Sequence, residues 1–188
     1  MSEVKPRRQR KRRAPADARV NHTADLAASW RRELPHLDCT ELLLQIYIMR
    51  LGRMLDAAYD RLCRANYGIS GPEMRVLFSL RRAGPPYARR PTDLFKALLV
   101  TSGAITKQVD RLQAAGFVVR LPDPSFGGGF LIQLTEKGRK AASDTIETLA
   151  TRGLISSVKK SLSRKEVQDA TRLCETLLTA LEIENPSM

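Results

Sequence analysis

The sequence predicts a mainly α-helical fold that carries one small β-hairpin. Apolar residues recur at helical spacing in several segments, and most of those segments begin at a capping residue. Two short apolar segments, FVVRL at 117–121 and FLIQL at 130–134, flank the run PDPSFGGG, whose residues favour turns. This arrangement is typical of a hairpin with a long tip. The expected order is therefore helices, hairpin, helices, without an internal repeat.

Positive charge is concentrated at the N-terminus. The chain of 188 residues has a net charge of +12, and residues 1–19 hold eight Lys or Arg against two acidic residues. Almost nothing in this stretch is apolar enough to be buried, so residues 1–24 are predicted to form a disordered basic tail. A balance this basic favours a polyanionic partner, either nucleic acid or an anionic membrane surface.

Several functional classes are excluded by what the sequence lacks. Its apolar runs are shorter than the ~18 residues of a membrane span, and no apolar segment follows the basic N-terminus as in a secretory signal. Three widely spaced cysteines are typical of a reducing compartment, so a cytoplasmic location is expected. The chain has two histidines and shows no phosphate-binding glycine loop, nucleophile elbow or paired carboxylates. We therefore expect no enzyme, no catalytic residues, no metal and no cofactor.

The first part of the chain predicts a short helix followed by a long one. The short amphipathic segment spans 25–34, and the long helix spans 39–66, with Asp38 or Thr40 as its cap and Gly68 just beyond its end. Apolar residues cover much of the circumference of the long helix, including Leu43, Leu44, Ile46, Tyr47, Ile48, Leu51, Met54, Leu55, Ala58 and Leu62. A helix with so wide an apolar surface is expected to be buried from more than one side.

Two later helices carry a capping box, in which a Ser and a Glu three residues later satisfy each other's backbone N–H groups. The first pair is Ser70 with Glu73, and the second is Ser163 with Glu166. The last helix follows the second pair and has an apolar stripe made by Leu173, Leu177 and Leu181.

Between these pairs lie two helices with threonine caps. Thr92 is expected to cap a short helix that precedes a tight turn. Thr135 is expected to start a helix that runs to about Val158.

The segment TSGAITKQVDRLQAAG, residues 101–116, predicts a helix with an outward face of small and polar residues. Its apolar side is formed by Ile105, Val109 and Leu112, and the opposite side with its edges by Ser102, Gly103, Thr106, Lys107, Gln108, Asp110, Arg111 and Gln113. A leading turn of small residues can approach base edges closely, its free N–H groups favour phosphate, and Lys or Gln can reach bases or backbone. The alternative is an ordinary surface helix, although such a helix usually carries more Glu and Lys.

A short helix, a turn, a second helix and a hairpin form a winged helix-turn-helix, and here the chain resembles the MarR family of transcriptional regulators. The resemblance extends from about Trp30 to Leu181 and is densest in PTDL at 91–94, TSGAIT at 101–106, DRL at 110–112, GFV at 116–118 and LTEKG at 134–138. The predicted DNA-contacting residues are Thr92, Ser102, Gly103, Ala104, Thr106, Lys107, Gln108, Arg111 and Arg120.

The resemblance also implies a domain organisation and partners. It implies a winged helix-turn-helix domain over 69–138, between dimerisation helices over 25–68 and 139–188, in an obligate homodimer. That homodimer is expected to bind double-stranded DNA at a roughly palindromic operator in the nucleoid, with its recognition helices about one turn apart. Repression is implied, relieved by a small effector that is often aromatic or phenolic; an anionic effector is a further possibility here.

The wing departs from the family pattern, which commonly reads D-P-x-D-R-R and carries an arginine at its tip. Here the matching residues, 123–128, read DPSFGG, so the tip arginine is missing and Arg120 is the nearest cation. One interpretation is a wing that only packs or stays mobile, and the other is that Phe126 and glycine N–H groups touch the DNA backbone. The basic tail is a further candidate for contacts in the minor groove.

The resemblance indicates effector and redox residues less clearly. Urate-responsive members are similar around the lone tryptophan, and the candidate effector residues are Trp30, Tyr47, Arg50, Met54 and Arg75. Peroxide-sensing members pair a cysteine in the first long helix with two tyrosines, and Cys39 lies about one turn earlier than that cysteine. The tyrosine positions here hold Gly71 and Met74. Redox sensing by Cys39 is therefore one alternative function, and a sequence-tolerant basic architectural protein is the other.

Overall fold

Helices dominate the fold, with one small antiparallel sheet, as the sequence predicts. The computed structural model describes residues 22–125, 127–153 and 161–184, which divide into two compact units between Leu51 and Gly52. The elements are α1 (His22–Glu33), α2 (Thr40–Tyr67), α3 (Gly71–Arg82), β1 (Ala88–Arg89), α4 (Pro91–Leu98), α5 (Ser102–Ala114), β2 (Val118–Pro122), β3 (Phe130–Leu134), α6 (Glu136–Thr151) and α7 (Arg164–Glu184). None of these helices is long and apolar enough to cross a membrane.

The first unit contains α1 and the beginning of α2. Its small core is made by Ala27, Cys39 and Leu43, with Trp30 and Tyr47 packed against it. The Asp38 carboxylate accepts a hydrogen bond from the Thr40 backbone N–H at 3.0 Å, which confirms it as the residue that starts α2.

Much of the apolar surface of α2 and α7 is exposed in the single chain. In α2 the exposed positions include Leu44, Ile48, Leu51 and Met54. In α7 no residue is buried, and the exposed leucines include Leu173, Leu178 and Leu181. The core of this chain therefore does not cover these side chains. Their burial at a dimer interface stays a prediction.

The second unit is organised around α3, whose predicted capping box is confirmed. The Ser70 backbone N–H donates to the Glu73 carboxylate at 2.6 Å, and the Glu73 backbone N–H donates to the Ser70 hydroxyl at 3.4 Å. The inward side of α3 is completely buried through Met74, Val76, Leu77 and Leu80. This helix forms the centre of the core on which the elements of the winged domain pack.

The sheet confirms the predicted hairpin and adds one strand. β2 and β3 pair antiparallel, with Val118 opposite Leu134 and Pro122 opposite Phe130. β1, which the sequence analysis did not anticipate, lies on the other side of β3, giving the order β1-β3-β2. Phe126, at the tip of the hairpin, lies outside the described residues.

Helix α6 begins where predicted, because the Thr135 hydroxyl accepts the Gly138 backbone N–H at 3.0 Å. A glycine is required at position 138 because the backbone of Phe117 lies very close. A Cβ at Gly138 would be 2.0 Å from the carbonyl oxygen of Phe117. The predicted end of the helix near Val158 is wrong. The helix ends at Thr151, where Gly153 takes a left-handed φ of 64° and its N–H bonds back to Thr148.

The second predicted capping box is also confirmed. The Ser163 backbone N–H donates to the Glu166 carboxylate at 2.7 Å at the start of α7. Residues 1–21 of the predicted basic tail lie outside the described residues. The predicted boundary at residue 24 is wrong, because 22–24 already belong to α1.

Candidate nucleic-acid interface

Helices α4 and α5 are joined by a tight turn. Leu99 ends α4 in a left-handed conformation with φ of 53°, and the Val100 backbone N–H bonds back to the carbonyl of Phe95 at 3.2 Å. Thr101 then caps α5, because its hydroxyl accepts the Ala104 backbone N–H at 3.3 Å. The two helices and the hairpin that follows form a winged helix-turn-helix.

The outward side of the leading half of α5 is open and carries one cation. Residues Ser102, Gly103, Thr106 and Lys107 are exposed, whereas Ile105, Val109 and Leu112 on the opposite side are buried. No heavy atom lies within 4 Å of the place where a Cβ would be added at Gly103. This side can therefore approach a large ligand closely, with Lys107 to supply positive charge.

Gln108 does not belong to this open side. Its position in the helical repeat predicts that it lies on an exposed edge of α5. This prediction is wrong, because Gln108 is only 8 % exposed. Ala104 is half-buried. Positions at the edge of a helix are assigned from spacing alone, and the packing of α5 on the core covers the edge that contains Gln108.

Arg111 is exposed, but its guanidinium already has a carboxylate partner within the chain. It forms an ion pair with Glu73 of α3, whose side chain is only 7 % exposed. Burial alone would raise the pKa of Glu73, but the hydrogen bonds from Arg111 and Ser70 outweigh it and hold that pKa below its ordinary value. The pair thus links the second helix of the motif to α3.

Arg120, at the base of the wing, is likewise held within the domain. Its guanidinium donates to the Asp110 carboxylate at 2.5 Å and to the Gln113 side-chain oxygen at 2.6 Å, both on α5. It also lies over the Phe130 ring, 5.4 Å from the ring centre. Arg120 therefore joins the wing to α5.

The start of α4 differs from the prediction. Arg90, not Thr92, is the residue at the N-cap, with Pro91 in the first turn and Thr92 exposed one position later. The Arg90 guanidinium donates to the buried carboxylate of Asp123 at 2.6 Å, and that carboxylate also accepts the Ser125 backbone N–H at 2.9 Å.

Arg90 and Asp123 were not among the predicted site residues. Asp123 is followed by Pro124 and Ser125 at the start of the hairpin tip, a spacing that favours a turn closed by the aspartate side chain. That local signal could have identified Asp123. Nothing local indicates Arg90, because the two residues are 33 positions apart.

The candidate effector residues fall in both units. In the first unit, Trp30 and Tyr47 pack in the small core, and the Tyr47 hydroxyl donates to the Thr23 carbonyl at 3.4 Å. Arg50 lines a cleft of about 350 Å³ between α1 and α2. The other residues lining that cleft are Asp25, Leu26, Ala28, Ser29 and Arg32.

The other two effector candidates belong to the second unit and do not line this cleft. Met54 is exposed. Arg75 forms an ion pair with Asp56 and lies over the Tyr59 ring at 5.6 Å. The Arg75 guanidinium therefore already has a carboxylate partner within the chain.

The three cysteines have different environments. Cys39 is buried, with its thiol 3.7 Å from the carbonyl of Leu37. Cys63 is completely buried, and burial raises the pKa of its thiol to about 11. Cys174 is exposed on α7. No cluster of His, Cys, Asp or Glu suited to a metal ion occurs in the described part of the chain.

Comparison with known proteins places this geometry among regulators. A model of the MarR family matches residues 67–125. The HTH-type transcriptional regulator PecS of Dickeya dadantii (strain 3937) is 32% identical over 130 residues, which cover 69% of this chain and 78% of PecS.

Two solved structures that were crystallised with DNA are similar in fold. A mutant MarR of Escherichia coli complexed with operator DNA is 32% identical, with a TM-score of 0.56 over 71% of this chain and 94% of that chain. Sco3205, a MarR family transcriptional regulator from Streptomyces coelicolor in complex with DNA, is 22% identical. Its TM-score is 0.65 over 77% of this chain and 93% of that chain.

Proposed function

The chain belongs to the MarR family of transcriptional regulators, and from that premise we propose that it represses genes by binding a roughly palindromic operator as a homodimer. The observation that carries this proposal is the open leading half of α5, with Lys107 on its outward side and a buried apolar side behind it. A helix supported in this way can enter the major groove without losing contact with its own core.

The chemistry of this surface suits DNA. The first N–H groups of α5 have no partner within the helix, and together with the helix dipole they favour a phosphate at its N-terminus. The hydroxyls of Ser102 and Thr106 and the ammonium of Lys107 can then contact base edges or phosphates. Gly103 leaves room for a base or a sugar to come close. Thr92 is exposed in the first turn of α4 and would contact the adjacent DNA backbone.

The homodimer is supported by the exposed leucines of α2 and α7. Apolar stripes exposed along a helix are typical of surfaces that another protein covers. A second copy that covers these helices would bring two reading helices together, and a two-fold dimer of this kind reads a palindromic site. We further propose that the protein works in the cytoplasm, associated with the nucleoid.

The effector is proposed to be a small aromatic or anionic molecule. The cleft between α1 and α2 supports an anion, because two arginines, Arg32 and Arg50, are among the residues that line it, against one acidic residue, Asp25. An effector bound there would relieve repression if it binds the free protein more tightly than the DNA-bound protein.

The test is operator binding by variants of α5. Footprinting on the DNA that flanks the protein's own gene would define the operator fragment. Replacing Lys107 or Thr106 with Ala should weaken binding to that fragment by about 1–3 kcal/mol if each contacts a base. Both variants should stay folded, because neither side chain lies on the buried side of α5.

The matched control is Lys165→Ala on α7, which removes one exposed positive charge far along the chain from α5. It should bind the fragment like the wild type. If Lys107→Ala and Thr106→Ala also bind like the wild type, α5 is not the reading helix. A wild-type protein that binds operator and random DNA equally well would instead be a sequence-tolerant architectural protein.

A further inference from the structure

A buried carboxylate behind α5 binds two elements at once. Glu73 is the third residue of α3, and its side chain is only 7 % exposed. One of its oxygens accepts the Ser70 backbone N–H at 2.6 Å and so closes the capping box, while the other accepts the Nε–H of Arg111 on α5. The same side chain therefore caps α3 and holds α5.

The beginning of α3 is itself fixed against α2. The Asp60 carboxylate accepts the Gly71 backbone N–H at 2.8 Å through one oxygen and the Arg64 guanidinium at 2.7 Å through the other. A Cβ at Gly71 would lie 3.0 Å from the ring of Tyr59, so the two helices are also in close contact there. The position of Glu73 is thus fixed by the contact of α3 with α2 on one side and by the pair with Arg111 of α5 on the other.

Arg111 lies one helical turn beyond Lys107. Residues four positions apart are neighbours on the same side of a helix, so a tether at Arg111 restricts the direction in which Lys107 points. A binding site needs its side chains within about 0.5 Å and 10–20° of the productive geometry, and residues behind the site must supply that precision. Lys107 itself is exposed.

We propose that Glu73 is a positioning residue for DNA reading, and that Arg111 serves DNA binding mainly through its ion pair with Glu73 rather than by touching the DNA. This inference rests on the proposed function, because it assigns a role to residues behind the same surface. On this proposal Arg111 affects DNA binding indirectly, through Glu73, and not by the direct contact with DNA that the sequence predicts. The carboxylate of Glu73 sets the rotation of α5, and the rotation sets where Lys107 and Thr106 meet the bases.

The two roles of Arg111 differ in salt dependence and in specificity. A cation that neutralises a phosphate steepens the plot of log affinity against log salt by about 0.9 and favours operator and random DNA alike. A positioning residue changes neither the number of phosphates neutralised nor the affinity for random DNA. It changes only the affinity for the correct bases.

The experiment measures binding to the operator fragment and to random DNA of equal length, across a salt series, for Glu73→Gln, Arg111→Gln and the double variant. Glu73→Gln keeps an oxygen that can accept the Ser70 N–H, but it removes the charge that holds Arg111. Each single variant should lose about tenfold in operator affinity and keep both the salt slope and the random-DNA affinity. The double variant should be within about twofold of the weaker single variant, because both changes break one pair.

The control is Glu136→Gln, which makes the same change at an exposed carboxylate in the first turn of α6, where it pairs with Arg139. It should leave operator affinity unchanged, so a loss in Glu73→Gln cannot be attributed to the removal of a negative charge from a helix start in general. Circular dichroism and thermal unfolding would check that each variant is folded. If Glu73→Gln fails to fold, Arg111→Gln alone decides, since it leaves the capping box intact.

Two results would overturn the inference. One is operator binding by Glu73→Gln equal to the wild type. The other is a fall of about 0.9 per chain in the salt slope of Arg111→Gln, together with weaker random-DNA binding, which would show a direct phosphate contact. If Lys107→Ala loses affinity in the same assay while the Glu73 variant does not, the positioning role fails and the proposed function stands. A wild type without preference for the operator fragment would remove the proposed function itself.

Discussion

Replacing Gly138 with Ala should destabilise this protein, although the same replacement in a helix usually has the opposite effect. Inside a helix, Ala is more favourable than Gly by up to about 1 kcal/mol. At Gly138, however, the new Cβ would lie 2.0 Å from the Phe117 carbonyl oxygen and 3.2 Å from a methyl carbon of Leu134. An ordinary contact needs well over 3 Å, so the start of α6 and the start of β2 would have to separate.

That separation is resisted by hydrogen bonds at the same point. The Phe117 carbonyl accepts the Thr135 backbone N–H at 3.1 Å and the Thr135 hydroxyl at 3.1 Å. Overpacking in a core costs about 1–3 kcal/mol, and occasionally more where the neighbour is backbone. We therefore expect Gly138→Ala to lose roughly 2 kcal/mol, which in a chain of this size lowers the melting temperature by about 4–8 °C.

The matched control is Gly103→Ala, also near the beginning of a helix. No atom lies within 4 Å of the new Cβ there, so this variant should be as stable as the wild type or up to about 1 kcal/mol more stable. Differential scanning calorimetry or circular dichroism melts would compare the two at equal protein concentration. A Gly138→Ala protein that melts at or above the wild-type temperature would refute the reasoning from close approach.

Four further predictions follow from other parts of the chain. Leu99→Gly should stabilise the fold by about 0.5–1 kcal/mol in chemical denaturation, because the left-handed conformation costs a leucine more than the glycine loses in entropy; an unchanged midpoint would contradict this. At pH 8, iodoacetamide followed by mass spectrometry should leave Cys63 unmodified in the folded protein and label it after denaturation, since Cys63 is buried and its raised pKa keeps it as the thiol in the fold. A charged residue at Leu177 should abolish the proposed dimer and operator binding together, and a monomeric wild type in micromolar sedimentation runs would contradict the basis of this prediction. Deleting residues 1–19 should flatten the salt slope by several units per dimer and weaken operator and random DNA alike, unless the tail makes no phosphate contacts.

The elements that the sequence predicts best are those whose signals are local. Both capping boxes and the Asp38 cap of α2 depend on residues within three positions of each other, so spacing alone identifies them. The hairpin is identified by two short apolar segments on either side of a turn-forming run. The short strand β1 has no such signal. It is a strand only because Ala88 and Arg89 pair with β3, more than 40 residues later in the chain.

The candidate site divides in the same way. The buried and open sides of α5 follow from helical spacing, and the structure confirms them for Ile105, Val109 and Lys107. The orientation of a long side chain does not follow from spacing. Arg111 and Arg120 were both expected to face DNA, but each has a carboxylate partner that only the folded chain brings close. Gln108 is buried because the fold, and not its own helix, covers that edge.

The attachment of Arg120 to α5 bears on how the wing of such a domain can evolve. Because Asp110 and Gln113 of α5 hold Arg120 at the base of the wing, the length and composition of the tip can vary without disturbing α5. A tip that contains three consecutive glycines and lacks an arginine is then compatible with an intact domain. Because the tip is independent of α5 in this way, a minor-groove contact could be engineered into the tip while the sequence preference of the parent protein is retained.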